Sequence, residues 1–165
     1  MTWQFRRANV GDLDRIMELE TATFTTDAWA ADTMRGELES ANNWYLVAFR
    51  PETPERLDAY AGLLAPPGVE DADIQTIAVA PDARRHGLGR NLMRALINEA
   101  QQRGATAVFL EVRADNPAAQ QLYSILGFEH IAVRPRYYQP DNVDAIVMRL
   151  ALTPREPAFT NGESP

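Results

Sequence analysis

Ala83-Arg-Arg-His-Gly-Leu-Gly-Arg-Asn-Leu-Met93 sets two glycines among arginines, directly after the apolar run Ile74-Gln-Thr-Ile-Ala-Val79. Downstream, Leu92 or Met93, Leu96, Ile97 and Ala100 recur at helical spacing. The pattern reads as strand, turn, helix: Pro81 stops the strand, the helix spans about Gly89 to Gln102, and Gly104 is placed to cap its end. Such a junction aims several unpaired backbone N–H groups at one point, where the helix dipole also favours negative charge. Phosphate is the natural occupant. The stretch lacks the G-x-x-x-x-G-K-[ST] spacing of a nucleoside triphosphate loop and the third glycine of a dinucleotide fingerprint. A plainer alternative is that Gly87 and Gly89 only turn the chain into its helix.

Outward from this block the chain alternates period. Asn9-Val-Gly-Asp12 offers caps ahead of Leu13, Ile16, Met17 and Glu20, which predicts a helix over Asp12 to Thr21. A weaker helical pattern runs through Trp29, Met34 and Leu38. Trp44 to Phe49 and Ala59 to Leu64 are β-prone and flank a Pro- and charge-rich loop, so a meander is expected that ends in the strand closing at Val79. Ala107 to Val112 is apolar on both faces, as in a strand covered on each side. Asn116-Pro117 opens a further helix that stops at Gly127, Phe128 starts the next strand region, and Asp144 to Leu150 closes the sheet. The order predicts one α/β (α+β) domain over 1–152 with a single mixed central sheet flanked by helices on both faces. The Pro-, Gly- and polar-rich residues 153–165 read as a disordered tail.

Composition narrows the chemistry. With 165 residues the chain can bury a core without metal or disulfide support, and no cysteine is present to act as nucleophile or thiolate ligand. Group transfer must then be direct or use another nucleophile. His86 and His130 are too far apart in sequence to suggest a metal motif. No apolar run approaches the roughly 20 residues that span a bilayer, so a cytoplasmic protein off the membrane is expected. A net charge of -7 opposes bulk attraction to nucleic acid and leaves room for a basic partner.

The block from Ile74 to Phe128 resembles the Gcn5-related N-acetyltransferase (GNAT) superfamily, whose signature [RQ]-x-x-G-x-[GA] is met by Arg84-Arg-His-Gly-Leu-Gly89. A second landmark, N-x-x-A-x-x-x-Y-x-x-x-G-F, is met over its full length by Asn116 to Phe128. The resemblance implies the GNAT fold and acetyl-CoA as acetyl donor. It further implies that the backbone around Arg84, Arg85, His86, Gly87, Leu88, Gly89 and Arg90 wraps the pyrophosphate. Ile77, Ala78 and Val79 would pair with the pantetheine arm, and Asn116 would add a contact to its capping role. Tyr123 would protonate the departing thiolate, although its spacing with Ala119, Leu122 and Leu126 also suits core packing.

Leu110-Glu-Val-Arg-Ala-Asp-Asn116, Arg136-Tyr-Tyr-x-Pro140 and Asp144-Ala-Ile-Val-Met148 are similar to the RimI-type ribosomal-protein alanine N-acetyltransferases. That branch implies Glu111 as the base that deprotonates the amine and a protein N-terminus, such as that of a basic ribosomal protein, as acceptor. Burial in an apolar strand would raise the Glu111 pKa, while a structural ion pair with Arg113 is the competing reading. Tyr137 and Tyr138 either line a peptide slot or pack a sheet-edge loop. Phe24-Thr-Thr-Asp-Ala-Trp29 departs from the branch's usual F-P-x-P-W-S, which leaves peptide preference open. A small amine or lysine side chain as acceptor and a non-catalytic acyl-CoA-binding module are the rival functions. Oligomeric state is not legible.

Overall fold

The structure, a computed structural model, describes residues 2–153. Its elements in chain order are β1 (Gln4–Arg7), α1 (Leu13–Thr23), α2 (Ala31–Glu39), β2 (Asn43–Phe49), β3 (Ala59–Leu64), β4 (Asp71–Val79), α3 (Leu88–Gln102), β5 (Ala107–Arg113), α4 (Pro117–Ile125), β6 (Glu129–Tyr138) and β7 (Val143–Ala151). Seven strands form one sheet in the order β1-β2-β3-β4-β5-β7-β6. Only the β4–β5 pair is parallel, as the α3 crossover between them requires, and every other pair is antiparallel.

Helices cover both faces. Glu20 of α1 meets Thr76 through Tyr60, whereas Gly89 of α3 approaches Val79. Thr76 and Val79 are an odd number of residues apart on β4, so they point to opposite sides of the pleat. The core between these layers holds fully buried Ile16, Met34, Leu92, Leu96 and Val108. Each such side chain contributes roughly 1.5–3 kcal/mol by leaving water. The α3 end is a complete Schellman cap: Gly104 at φ +94° donates to Gln101 O at 3.1 Å, and Ala105 N donates to Ala100 O at 3.0 Å.

Three features differ from the sequence expectation. β1 was not anticipated, because Gln4-Phe-Arg-Arg7 is short and mostly exposed and carries no apolar alternation. The loop between β2 and β3 is not merely a solvated turn: the Asp58 carboxylate is fully buried and accepts from Trp3 Nε1 at 2.9 Å and Arg50 Nε at 2.8 Å. β4 begins at Asp71 rather than Ile74, since its acidic lead-in makes the parallel pairing with β5. Of the expected disordered tail, all but Thr153 lies outside the described residues. Among the described residues, no helix is long and apolar enough to cross a membrane.

Candidate active site

The site begins with a failure of strand pairing. β4 and β5 are joined only at Asp71–Ala107, Ala72–Val108 and Asp73–Phe109. β4 nevertheless continues to Val79 along β3, and β5 continues to Arg113 along β7. The sheet therefore opens into a wedge, which leaves the facing edge of β4 over Ile74 to Val79 without a strand partner. A cleft of about 1070 Å³ fills this wedge. An unpaired strand edge is suited to an extended ligand that can add main-chain-like hydrogen bonds.

At one end of the cleft lies the glycine turn. Gly87 is the N-cap of α3 at φ +77°, a left-handed conformation that favours glycine, and Arg85 adopts φ +67° just before it. No side chain caps this helix, and its first internal bond is Asn91 N to Gly87 O at 3.0 Å. The Leu88, Gly89 and Arg90 N–H groups thus lie free at the dipole's positive end. A Cβ added to Gly89 would meet only ordinary contacts, with Leu122 at 3.6 Å and Val79 at 3.8 Å, so packing within the chain does not demand glycine there. It would instead narrow the cleft between those side chains. The splayed edge, the free N–H groups and this open space fit an extended ligand that carries a phosphate or diphosphate.

Ile77, Ala78, Val79, Arg84, Arg85, Gly87, Leu88, Gly89, Arg90 and Asn116 all line the cleft. Arg84 also folds its Nε back onto Val79 O at 3.1 Å. His86 is not among the lining residues, and its ring rests on Trp3 at 5.5 Å between centroids. Asn116 caps α4 by accepting from Ala119 N at 3.1 Å, ahead of Pro117 in the first turn.

Glu111 and Tyr123 line the same cleft from β5 and α4. Tyr123 is 7% exposed and packs edge-on to Phe128. Burial pushes its phenol up to about 12, so it stays protonated near neutral pH. Glu111 is less enclosed than the apolar strand suggested, with a side chain 28% exposed. Its ion-pair partner is Arg134 of β6 at 3.2 Å, not Arg113. The neighbouring Glu111 carboxylate holds the Tyr137 phenol above its ordinary value.

Arg113 serves a different set. Its guanidinium reaches Asp115 at 2.9 Å, Asp141 at 3.0 Å and Asp27 at 3.6 Å, and it lies over the Tyr138 ring at 5.1 Å. This clamp ties the α1–α2 loop and the β6–β7 turn to the end of β5, and Thr26 Oγ1 adds a 2.9 Å bond to Asp141. Tyr137 and Tyr138 pack edge-to-face at 5.1 Å at the end of β6, an edge strand rather than a loop, and both line the cleft.

One cleft residue was singled out in the sequence only as part of a helical stripe. Glu20 of α1 lines the cleft yet is 1% exposed. The Tyr60 hydroxyl donates a short bond to it, and Trp29 N donates to its Oε1 at 3.1 Å. Burial raises its pKa against those two bonds. The signal was present: an ionisable residue occupied the apolar stripe with Leu13 and Ile16. Among the described residues, no group of three or more His, Asp or Glu side chains is placed to hold a metal ion.

Comparisons with known proteins agree with this geometry. The profile of the Acetyltransferase (GNAT) family matches residues 13–128. N-alpha-acetyltransferase RimI of Mycobacterium tuberculosis is 38% identical over 143 residues, covering 84% of this chain and 85% of that protein. An uncharacterized protein of Mycobacterium leprae is 40% identical over 143 residues, but the match spans only 38% of its length. The crystal structure of the ribosomal-protein-S18-alanine N-acetyltransferase from Escherichia coli superposes with TM-score 0.80 at 29% identity, over 99% of this chain and 100% of that one. Arabidopsis thaliana NAA60 in complex with acetyl-CoA shares the fold, with TM-score 0.82 at 18% identity over 92% and 99% of the two chains. A sheet splayed beside an uncapped glycine turn, and a family match over most of the chain, lead to one assignment: the chain is an acetyltransferase of the GNAT family.

Proposed function

We propose that this acetyltransferase transfers the acetyl group of acetyl-CoA to the α-amine of a protein N-terminus, with alanine preferred and a ribosomal protein as target. The observation that carries the reading is that Glu111 and Tyr123 line one cleft whose donor end is made of backbone and whose other end carries aromatic and carboxylate side chains. The likeness to the M. tuberculosis and E. coli enzymes supports the acceptor class. The NAA60 complex supports the donor.

Acetyl-CoA supplies an activated acyl carbon. The turn from Arg85 to Arg90 would hold its diphosphate through main-chain N–H groups, and the free edge of β4 would align the rest. An α-amine is mostly protonated near pH 7, with pKa about 7.7 to 8.0, so attack requires an acceptor for its proton. Glu111 takes that proton, directly or through water. The amine nitrogen bonds to the acetyl carbon as the carbon–sulfur bond breaks. A main-chain N–H near Val79 stabilises the carbonyl oxygen. Tyr123 donates its O–H to the departing sulfur, the second amine proton leaves for solvent as the amide forms, and the Tyr123 phenolate is reprotonated from solvent. No acyl-enzyme is formed; both substrates are held together in the cleft.

The test is mass spectrometry of a peptide panel incubated with enzyme and acetyl-CoA: free Ala-Arg N-termini, an N-terminally blocked lysine peptide, and small amines. Acetyl located on the alanine α-amine alone is the expected result. Modification of only lysine or a small amine would overturn the acceptor assignment and leave fold and donor intact. Binding of acetyl-CoA without turnover of any acceptor would overturn the enzymatic reading.

A further inference from the structure

We infer that Glu20 is a positioning residue that fixes the α1–α2 loop as the acceptor-side wall of the cleft. Three observations lead there. Glu20 is a carboxyl buried to 1% exposure on the cleft side of α1, and the acetyl-transfer chemistry does not use it. Its Oε1 accepts from the main-chain N–H of Trp29, nine residues on and just before α2. Its other oxygen is gripped by Tyr60 of β3, whose hydroxyl also lies 3.3 Å from Thr76 Oγ1 of β4. One side chain thus ties the far end of the loop to the sheet. Both Phe24 and Trp29 at the two ends of that loop line the cleft.

The rest of the loop has weaker anchors. Phe24 N closes α1 on Glu20 O at 2.9 Å, and Thr26 and Asp27 are held only through Asp141 and Arg113, at the solvent-facing rim. Among the described residues, the Trp29–Glu20 bond is the one that crosses from this loop into the buried layer. A buried carboxyl with two directed donors is costly to keep unless its geometry serves something, because desolvation works against its charged form. Placing the loop is the service that the contacts describe. The role rests on the proposal that the acceptor enters on this side of the cleft.

Variants separate positioning from general support of the fold. In Glu20→Gln, Oε1 keeps the Trp29 bond. The new amide donates to Tyr60, whose hydroxyl turns to Thr76, so the wall is retained. In Glu20→Ala, the Trp29 N–H and the Tyr60 hydroxyl both lose their acceptor. The first readout is hydrogen exchange over residues 24–30 in the free enzyme. We expect exchange to rise about tenfold in Glu20→Ala and to stay near wild type in Glu20→Gln. The second is steady-state kinetics with whichever acceptor the wild type modifies. The acceptor KM should rise about tenfold in Glu20→Ala, with acetyl-CoA affinity within about twofold of wild type and near-complete rescue in Glu20→Gln.

Unchanged loop exchange in Glu20→Ala, or equal losses for acceptor and acetyl-CoA, would overturn the positioning role. Should Glu20→Ala fail to fold, Tyr60→Phe removes one of the two bonds. It must then show a smaller rise in exchange and acceptor KM, and no rise in either would overturn the inference. If the wild type acetylates small amines rather than peptides, the acceptor assignment fails, while loop exchange still decides the role of Glu20.

Discussion

The two ends of the cleft are built from different materials. The donor end is backbone: a turn with Arg85 and Gly87 at positive φ, an uncapped helix start and an unpaired strand edge. The acceptor end is side chain: Arg113 gathering Asp27, Asp115 and Asp141, Arg134 on Glu111, and Glu20 beneath the loop. On the proposed function, the diphosphate common to every acyl-CoA would be bound there by groups that every residue carries, so only backbone shape is specified. An acceptor has to be told from other amines, which takes particular side chains from separate parts of the chain.

That contrast makes graded predictions. The largest effect belongs between the two ends. Tyr123→Phe removes the proton donor to the leaving sulfur and should lower kcat by about 10²- to 10⁴-fold with acetyl-CoA binding retained, as single-turnover kinetics would show. A loss under tenfold would reduce Tyr123 to a packing role. Next comes Gly89→Ala, which separates stability from affinity. Alanine in the first helical turn, with only ordinary contacts at 3.6 and 3.8 Å, should leave Tm unchanged or slightly raised. Acetyl-CoA binding should fall by about tenfold, because the added carbon narrows the cleft. A drop in Tm with unchanged affinity would mean that the glycine serves the fold alone.

Arg113→Ala should act on the acceptor end only. Its partners are partly solvated, so the expected change is about threefold in acceptor KM, diminishing as salt is raised, with acetyl-CoA KM unmoved. An equal effect on both substrates would break the division of the cleft. The smallest signal is in stability against pH. Burial raises the Glu20 pKa in the folded state, so its contribution is present below the ordinary carboxylate range and is lost as pH rises through the folded value. The Tm of Glu20→Gln relative to wild type should therefore increase from acid toward neutral pH. A flat difference would remove the burial effect.

The same contrast explains what the sequence disclosed. The donor end was readable because its demands fall on contiguous residues: a strand ending at Val79, glycines at 87 and 89, and a helix beginning beside them. Tyr123 and Asn116 could be proposed because one short helix and its cap carry the whole of the motif on which the resemblance rests. Glu111 could be proposed as the one acid in an apolar strand. Its partner was misjudged, because neighbours on a strand are visible in sequence while Arg134 arrives from an edge strand two positions across the sheet. The clamp around Arg113 joins residues 27, 113, 115 and 141, a set that only folding assembles. β1 escaped because an exposed four-residue strand has no apolar period to display.

The most direct test of the account is Glu111→Gln, with acetyl-CoA binding followed by calorimetry and Ala-peptide acetylation followed by rate. The account predicts wild-type donor affinity, because the diphosphate end is built of backbone from β4 and α3, to which this carboxylate makes no bond among the described residues. It predicts a rate lowered by about 10²- to 10⁴-fold and not restored by saturating peptide. Near-wild-type turnover in Glu111→Gln would contradict the assignment of Glu111 as the proton acceptor.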